Sequence, residues 1–253
     1  MTIIGHLVQC WSRSKGFRFA LILASVWVLL RLAFAFIYAA GLFPELTGGA
    51  GVPMDLPVYI KGGQDFQSRL DLYPQDLSDS TFHYPYPPPF AMLSMVLLWL
   101  PERWSSILGT ILTIAAYVLM YLRWGRIFQI LRLEHVSEKL AWSLPVWLIF
   151  SAFWGDLTFL NVGIVVALVT TLLIEALLDE KLGWATLWLT LLLLSKIMWA
   201  FPVALPLLLG RRRFFFRLLA LTIAAYLAAV AVSALVGGPG YIGQQYLGYF
   251  NHL

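Results

Sequence analysis

Charge is scarce in this sequence. Only 12% of its 253 residues are Asp, Glu, Lys or Arg, about half the roughly 25% of an average soluble domain. So little charge on a chain of this size excludes a water-soluble domain as the main architecture. Cysteine is scarcer still. Cys10 stands alone, which excludes a disulfide framework and a cysteine metal centre. Four scattered histidines do not make a metal site either. The usual catalytic signatures are missing: there is no G-x-S-x-G, H-E-x-x-H or Walker A sequence, and no G-x-G-x-x-G opening a βαβ unit. The formal charge of +4 comes in short clusters, which read as membrane topology signals and not as a nucleic-acid face. No internal repeat is apparent, and neither end carries a soluble domain.

What the chain does have is apolar length. It is 60% hydrophobic, with a mean hydropathy of +0.80. This is the composition of an integral membrane protein. A spanning helix needs roughly 20 apolar residues. Such runs are predicted at 19–40, 104–122, 159–178, 184–209 and 214–236, and two shorter ones at 88–100 and 140–154. Counting the short pair as spans gives seven; treating both as re-entrant gives five. Either count puts the chain ends on opposite sides. The first run is longer than a signal-peptide core and lacks an A-x-A site, so it is expected to be retained. The expectation is an all-α polytopic membrane protein of about seven transmembrane helices, residues 1–253 forming one domain.

The positive-inside rule places Arg13, Lys15 and Arg18, and Arg211, Arg212, Arg213 and Arg217, on the cytoplasmic side. The long loop 41–86 and the tail 237–253 then lie outside. The loop carries six acids (Glu45, Asp55, Asp65, Asp71, Asp76, Asp79) against Lys61 and Arg69. One segment conflicts: in the seven-span arrangement Arg123, Arg126, Arg132 and Lys139 also fall outside. A loop of this length is functional or disordered, and this one is not low in complexity. Residues 58–72 have the pattern of a short amphipathic helix lying on a membrane surface.

Candidate site residues follow from where polar groups sit. Asp55, in GVPMDLPVY, is the loop acid best placed over the membrane edge. It can accept a proton from a substrate hydroxyl, or simply be a solvated acid or helix cap before Pro57. Arg31 and Lys196 sit near the centres of apolar runs. An intramembrane charge costs at least about 2.5 kcal/mol and is a functional candidate by default. Both can await an anionic ligand such as a lipid phosphate, or can snorkel or pair with Asp156 or Glu175. Asp156 and Asn161, in WGDLTFLNVG, read first as a polar turn between spans, though they can also line a cavity. In FHYPYPPPFAMLSMVLLWLP, residues 82–101, the aromatics His83, Tyr84 and Tyr86 flank a proline run. Interfacial anchoring is their ordinary role. The prolines favour an extended approach followed by a helix start.

The order of these pieces resembles the GT-C superfamily of polytopic glycosyltransferases, and more closely glycosyltransferase family 87. DLPVYI, with Asp55, Val58 and Tyr59, is like that family's D-x-x-VY. LDLYP, with Leu72, Tyr73 and Pro74, is like its G-x-x-x-Y. FHYPYPPPFAMLSMVLLWLP is like its F-x-YPP-x-x-x-L…LP block. LSKIMWAFPVALPLLLGRRR, with Lys196 and Pro202, is like its K-x-x-P span ending in basic residues. The family's central G-Q-x-N has GDLTFLN as its nearest match here, with Asp156 in place of glutamine. Family members run longer, so the resemblance implies a shortened relative or a piece, with 237–253 beginning a later outer loop.

The resemblance implies a fold and a reaction. The fold is a GT-C-like core with a long first extracytoplasmic loop, in a plasma (inner) membrane. The reaction moves a hexose, mannose by analogy, from a polyprenyl-phosphate sugar to a lipid or glycan acceptor, with inversion. Asp55 would be the general base, and Arg31 or Lys196 would face the leaving phosphate. Tyr59, His83, Tyr84, Tyr86, Asp156 and Asn161 would line the substrate site. No nucleotide sugar, cofactor or metal is expected; membrane lipids are expected partners and nucleic acid is not. If this holds, the aromatics of the proline block face the same cavity as Asp55. The competing reading is a transporter or flippase for a lipid-linked or anionic substrate, using the central cations as its path.

Overall fold

The computed structural model describes residues 2–39, 42, 55–74 and 84–252. His83 lies outside them, as do Glu45, Asp76 and Asp79 in the same loop. Among the described residues all regular structure is helical. The order is α1 (Ile3–Arg13), α2 (Lys15–Ala39), α3 (Leu56–Ser68), α4 (Pro88–Ser94) running into a 3₁₀ turn (Met95–Trp99), α5 (Glu102–Ile130), α6 (Glu134–Trp142), α7 (Leu144–Leu148) and α8 (Ser151–Phe159). Then come α9 (Gly163–Leu178), α10 (Leu182–Ser195), a second 3₁₀ stretch (Ile197–Ala204), α11 (Leu205–Leu208), α12 (Arg212–Gly237) and α13 (Pro239–His252).

Three of these helices are long and apolar enough to cross a membrane: α2, α5 and α12. A fourth span exists if α6 and the following helical stretch to Phe159, bent by 55°, count as one. Pro145 at the start of α7 lacks an N–H and so breaks the ladder there. Among the described residues, length and composition alone mark three or four spans of the expected seven; the other apolar runs form shorter helices at Gly163–Leu178, Leu182–Ser195 and Ile197–Leu208. The differences have local causes. Residues 88–100 make one short α-helix and a 3₁₀ turn, too short to cross. The run 159–178 is interrupted at Leu160, whose backbone is left-handed (φ 50°, ψ 41°). The run 184–209 breaks at Lys196, which is extended (φ −129°, ψ 91°). Just before that break the Ser195 hydroxyl donates back to the Leu191 carbonyl, a side-chain bond that competes with the helix ladder. Just after it, Pro202 and Pro206 remove two amide donors.

The outward faces are apolar. Phe19 is 70% exposed and Leu235 86%, and α2 and α12 are almost unburied along their apolar windows. Apolar surface on that scale, carried on helices of spanning length, is what lipid covers. The chain is a membrane protein.

Ion pairs orient the bundle. At one end Arg123 Nη1 and Arg126 Nε reach the Glu175 carboxylate at 3.3 and 2.9 Å. Arg211 pairs with Glu180 at 3.2 Å and donates to the Leu177 and Leu178 carbonyls, capping the C-terminal end of α9. The N-terminal helix α1 packs along α6, and Ile3 lies against Gly125 of α5. Phe17 meets Trp142 edge-on. The basic segments 13–18, 123–139 and 211–217 therefore gather at one end. This removes the conflict in the charge pattern. The conflict arose from counting 88–100 as a crossing, which reversed the side assigned from α5 to the start of α10; splitting 184–209 at Lys196 restores the original side for 211–217.

The other end carries α3, α4 and α13. α3 forms over much of the stretch patterned as an amphipathic helix. It buries Leu56, Tyr59, Gly62, Gly63 and Phe66 against α4 and its 3₁₀ turn. Pro87, Pro88 and Pro89 are fully buried and start α4 from an extended Pro87 (φ −65°, ψ 156°). α13 closes over this end: Gln245 is 2% exposed, and its Oε1 accepts the Leu72 N–H at 2.8 Å. A Cβ on Gly62 would stand 2.4 Å from the Tyr84 ring. Gly62→Ala is accordingly expected to lower stability by about 1–3 kcal/mol, read as a drop in unfolding temperature.

Candidate active site

Three polar side chains from distant parts of the chain meet at the loop end. Asp55 occupies the N-cap position of α3, with Pro57 in the first turn, yet its carboxylate caps nothing. Its backbone N–H instead donates to the Phe159 carbonyl at 3.0 Å, tying the start of α3 to the end of α8. The carboxylate is thereby brought to Asn161, whose Nδ2 donates to Asp55 Oδ2 at 2.6 Å. The left-handed Leu160 turns the chain so that Asn161 N–H reaches the Asp156 carbonyl. Asn161 Oδ1 accepts from Gly163 N–H at 2.8 Å and from Lys196 Nζ at 3.1 Å. The amide is oriented by chemistry. Its oxygen faces two donors and its nitrogen faces a carboxylate, so the flipped arrangement would lose all three bonds. The result is a carboxylate, an amide and an ammonium in series.

Aromatic hydroxyls frame this series. The Tyr59 hydroxyl accepts the Val162 N–H at 3.1 Å and lies 3.3 Å from the Tyr86 hydroxyl. The Tyr86 ring stacks on Phe90 and receives Lys196 Nζ 5.9 Å from its centroid, within reach of a cation–π contact. The Tyr86 carbonyl accepts from the Tyr73 hydroxyl. Burial pushes the Tyr59 and Tyr86 hydroxyls upward from the ordinary phenol value, so both are neutral hydrogen-bonding groups.

The remaining candidates are placed differently. Tyr84 is buried against Gly62, Tyr73 and Tyr86. Its hydroxyl is unpartnered among the described residues, and burial drives its ionisation strongly upward. Asp156 is close enough to Lys196 and Asp55 for both charges to act on it, and it takes the Ile164 N–H. Arg31 stands apart from the series, 5.6 Å from the ring centroids of both Trp27 and Trp154. Glu175, a possible partner for the intramembrane cations, is taken by Arg123 and Arg126.

Gly163 carries no charge and escapes a search for chemical groups, yet the turn depends on it. A Cβ there would sit 2.3 Å from Asp156 Oδ2 and 3.2 Å from Asn161 Oδ1. Gly163→Ala is expected to displace Asn161, lowering unfolding temperature by the equivalent of about 1–3 kcal/mol and reducing activity with it. The available signal is the N-V-G spacing: an asparagine two residues ahead of a helix start forms such a turn. Gln245 had no comparable signal.

An apolar cavity of about 300 Å³ adjoins the series. Tyr59 and Asn161 stand among its walls, with Phe90, Leu93, Leu108 and Leu112 extending it between α4 and α5.

The described residues thus form a helical membrane protein with a carboxylate, an amide and a cation in series beside an apolar cavity at one end of its bundle. The model of glycosyltransferase family 87 matches residues 84–253, about two thirds of the chain. The chain belongs to glycosyltransferase family 87 and is a glycosyltransferase. Tyr86, Asn161 and Lys196 lie within the match; Asp55 and Tyr59 precede it. No curated protein and no solved structure matches.

Proposed function

We propose that this glycosyltransferase takes a hexose, mannose being the first candidate, from a polyprenyl-phosphate donor and passes it with inversion to a lipid or glycan hydroxyl. The observation that carries the reading is the Asp55–Asn161–Lys196 series beside an apolar cavity. An isoprenoid tail suits the cavity, and its phosphate then comes to rest near Lys196. Asp55 accepts the proton of the acceptor hydroxyl. That oxygen bonds to the anomeric carbon as the bond from carbon to the phosphate oxygen breaks. The electron pair leaves with the lipid phosphate, whose added charge the ammonium offsets. Asn161 holds base and cation at a constant separation, and Tyr59 and Tyr86 offer hydroxyls to the sugar.

In the same reading the basic end faces the cytoplasm and Asp55 faces outward from the plasma membrane, following the positive-inside rule. Seven passes then connect the two ends: α2, α5, α6 to α8, α9, α10, 197–208 and α12. The segment 88–100 is not among them, and the run 184–209 supplies two.

The test is reconstitution of the purified chain in vesicles with radiolabelled polyprenyl-phosphate hexoses and, in parallel, nucleotide hexoses. Transfer from the lipid-linked donor, giving a product of opposite anomeric configuration, is expected. Transfer from the nucleotide sugar alone, or a product of retained configuration, would overturn the proposal.

A further inference from the structure

The proposed chemistry leaves unused a second cleft, at the basic end of the bundle. It has a volume of about 220 Å³ and lies between α5, α9 and α10, lined by Arg123, Arg126, Glu175, Asp179, Lys181 and the tryptophans 184 and 188. Three cations face two carboxylates, so the cleft carries one unbalanced positive charge. The pairing within it is incomplete. Arg126 uses Nε on Glu175 at 2.9 Å and makes only a 3.7 Å contact from Nη2 to Asp179. Lys181 Nζ meets Asp179 at 2.9 Å. The Arg126 and Lys181 side chains are each about half exposed, and a guanidinium has five donors to place. Glu175, by contrast, is 7% exposed, so the buried acid anchors the arginines from behind while their outer donors remain available.

Beside these cations the Trp184 and Trp188 rings stack, 5.6 Å apart and 19° from parallel, and Trp184 is 55% exposed. Leu187, one turn along the same helix, is also exposed. An indole shelf beside basic side chains, at the end of apolar helices, is the arrangement found at the headgroup level of a bilayer. Basic pockets between membrane helices recognise acidic headgroups.

We propose that this cleft binds the phosphodiester headgroup of an anionic membrane lipid. The phosphate sits between Arg126 and Lys181, and an acyl chain lies along α10 past Trp184 and Leu187. The inference is independent of the transfer reaction; it needs only that this end of the bundle meets a headgroup layer.

Native mass spectrometry of the full chain from neutral detergent, titrated with phosphatidylglycerol or phosphatidylcholine of matched acyl chains, tests it. Phosphatidylglycerol is expected to be retained and phosphatidylcholine lost. Lys181→Gln and Arg126→Gln should each weaken retention about fivefold, and Asp179→Asn should strengthen it by a similar factor, the effect of one charge at the surface. Lys139→Gln, an exposed lysine on α6 outside the cleft, should leave it unchanged. Should Arg126→Gln fail to fold, the Lys181 and Asp179 variants still decide. Equal retention of both lipids, or equal weakening by the Lys139 and Lys181 variants, would overturn the proposal. So would displacement of the lipid by equimolar inorganic phosphate, which would make the cleft a simple ion site.

Discussion

Asp55→Asn is expected to reduce sugar transfer by about 10²–10⁴-fold, the range for loss of a positioned proton acceptor, while the unfolding temperature stays near that of the parent chain. The two effects separate because of what the carboxylate touches. The oxygen of an asparagine carboxamide can still accept the Asn161 Nδ2–H that Oδ2 accepts now at 2.6 Å. The bond from the Asp55 N–H to the Phe159 carbonyl involves only backbone. The substitution therefore keeps the shape of the site and removes only its capacity to take a proton. Donor binding should persist, because the apolar cavity and Lys196 are untouched. Transfer rates measured with saturating lipid-linked donor check this. Undiminished turnover by the variant would remove Asp55 from the reaction.

Lys196→Met should lower turnover by about 10²–10³-fold, the loss seen when one group stabilising developing charge is removed. It should also raise the donor KM, since an ammonium that meets the leaving phosphate meets the ground-state phosphate as well. The substitution leaves Asn161 oriented. Its Oδ1 retains the Gly163 N–H at 2.8 Å, and its Nδ2 retains Asp55. The apolar methionine also removes a charge from an apolar segment, which favours insertion. Activity should therefore fall without loss of folded protein. Size-exclusion profiles and unfolding temperatures taken beside the kinetics separate this outcome from a scaffolding role, in which stability and activity would fall together. Arg31 offers the contrasting case. Held against Trp27 and Trp154, it is joined to none of the three groups in series, and Arg31→Met should leave turnover far less affected than Lys196→Met.

The proline block at 82–101 shows how far local sequence reaches. Its prolines were expected to bring the chain in extended and then start a helix, and Pro87 to Pro89 do so. That they do it fully buried, with Tyr86 held over Phe90 and beneath Lys196, depends on α3 and α10, which no pattern within the block describes. The walls of the apolar cavity include Tyr59 and Asn161 but not Asp55, Tyr84 or Tyr86, so contacts, not a common cavity, relate these aromatics to the series. Tyr86 joins the series through Tyr59 and Lys196, Tyr84 is packed into the core behind it, and His83 lies outside the described residues.

The span count divides the same way. Hydropathy marks where apolar segments lie, but a break needs only one residue. Leu160 in the left-handed region and Lys196 in the extended region each interrupt a run that reads as continuous. Both breaks supply the site: Asn161 directly follows the first, and Lys196, at the second, reaches its Oδ1.

From its sequence alone this chain was committed to a membrane, to helices, to a set of rare intramembrane charges and to a recognisable order of motifs. Those properties are local, written in composition and in the spacing of apolar residues. Only the tertiary structure joined Asp55 to Asn161 across 106 positions and Asn161 to Lys196 across 35, and gathered three basic segments at one end of the bundle. Contacts of that range are set by how helices pack and where they break. Two residues far apart in the chain meet because their helices end side by side, which the periodicity of neither helix encodes.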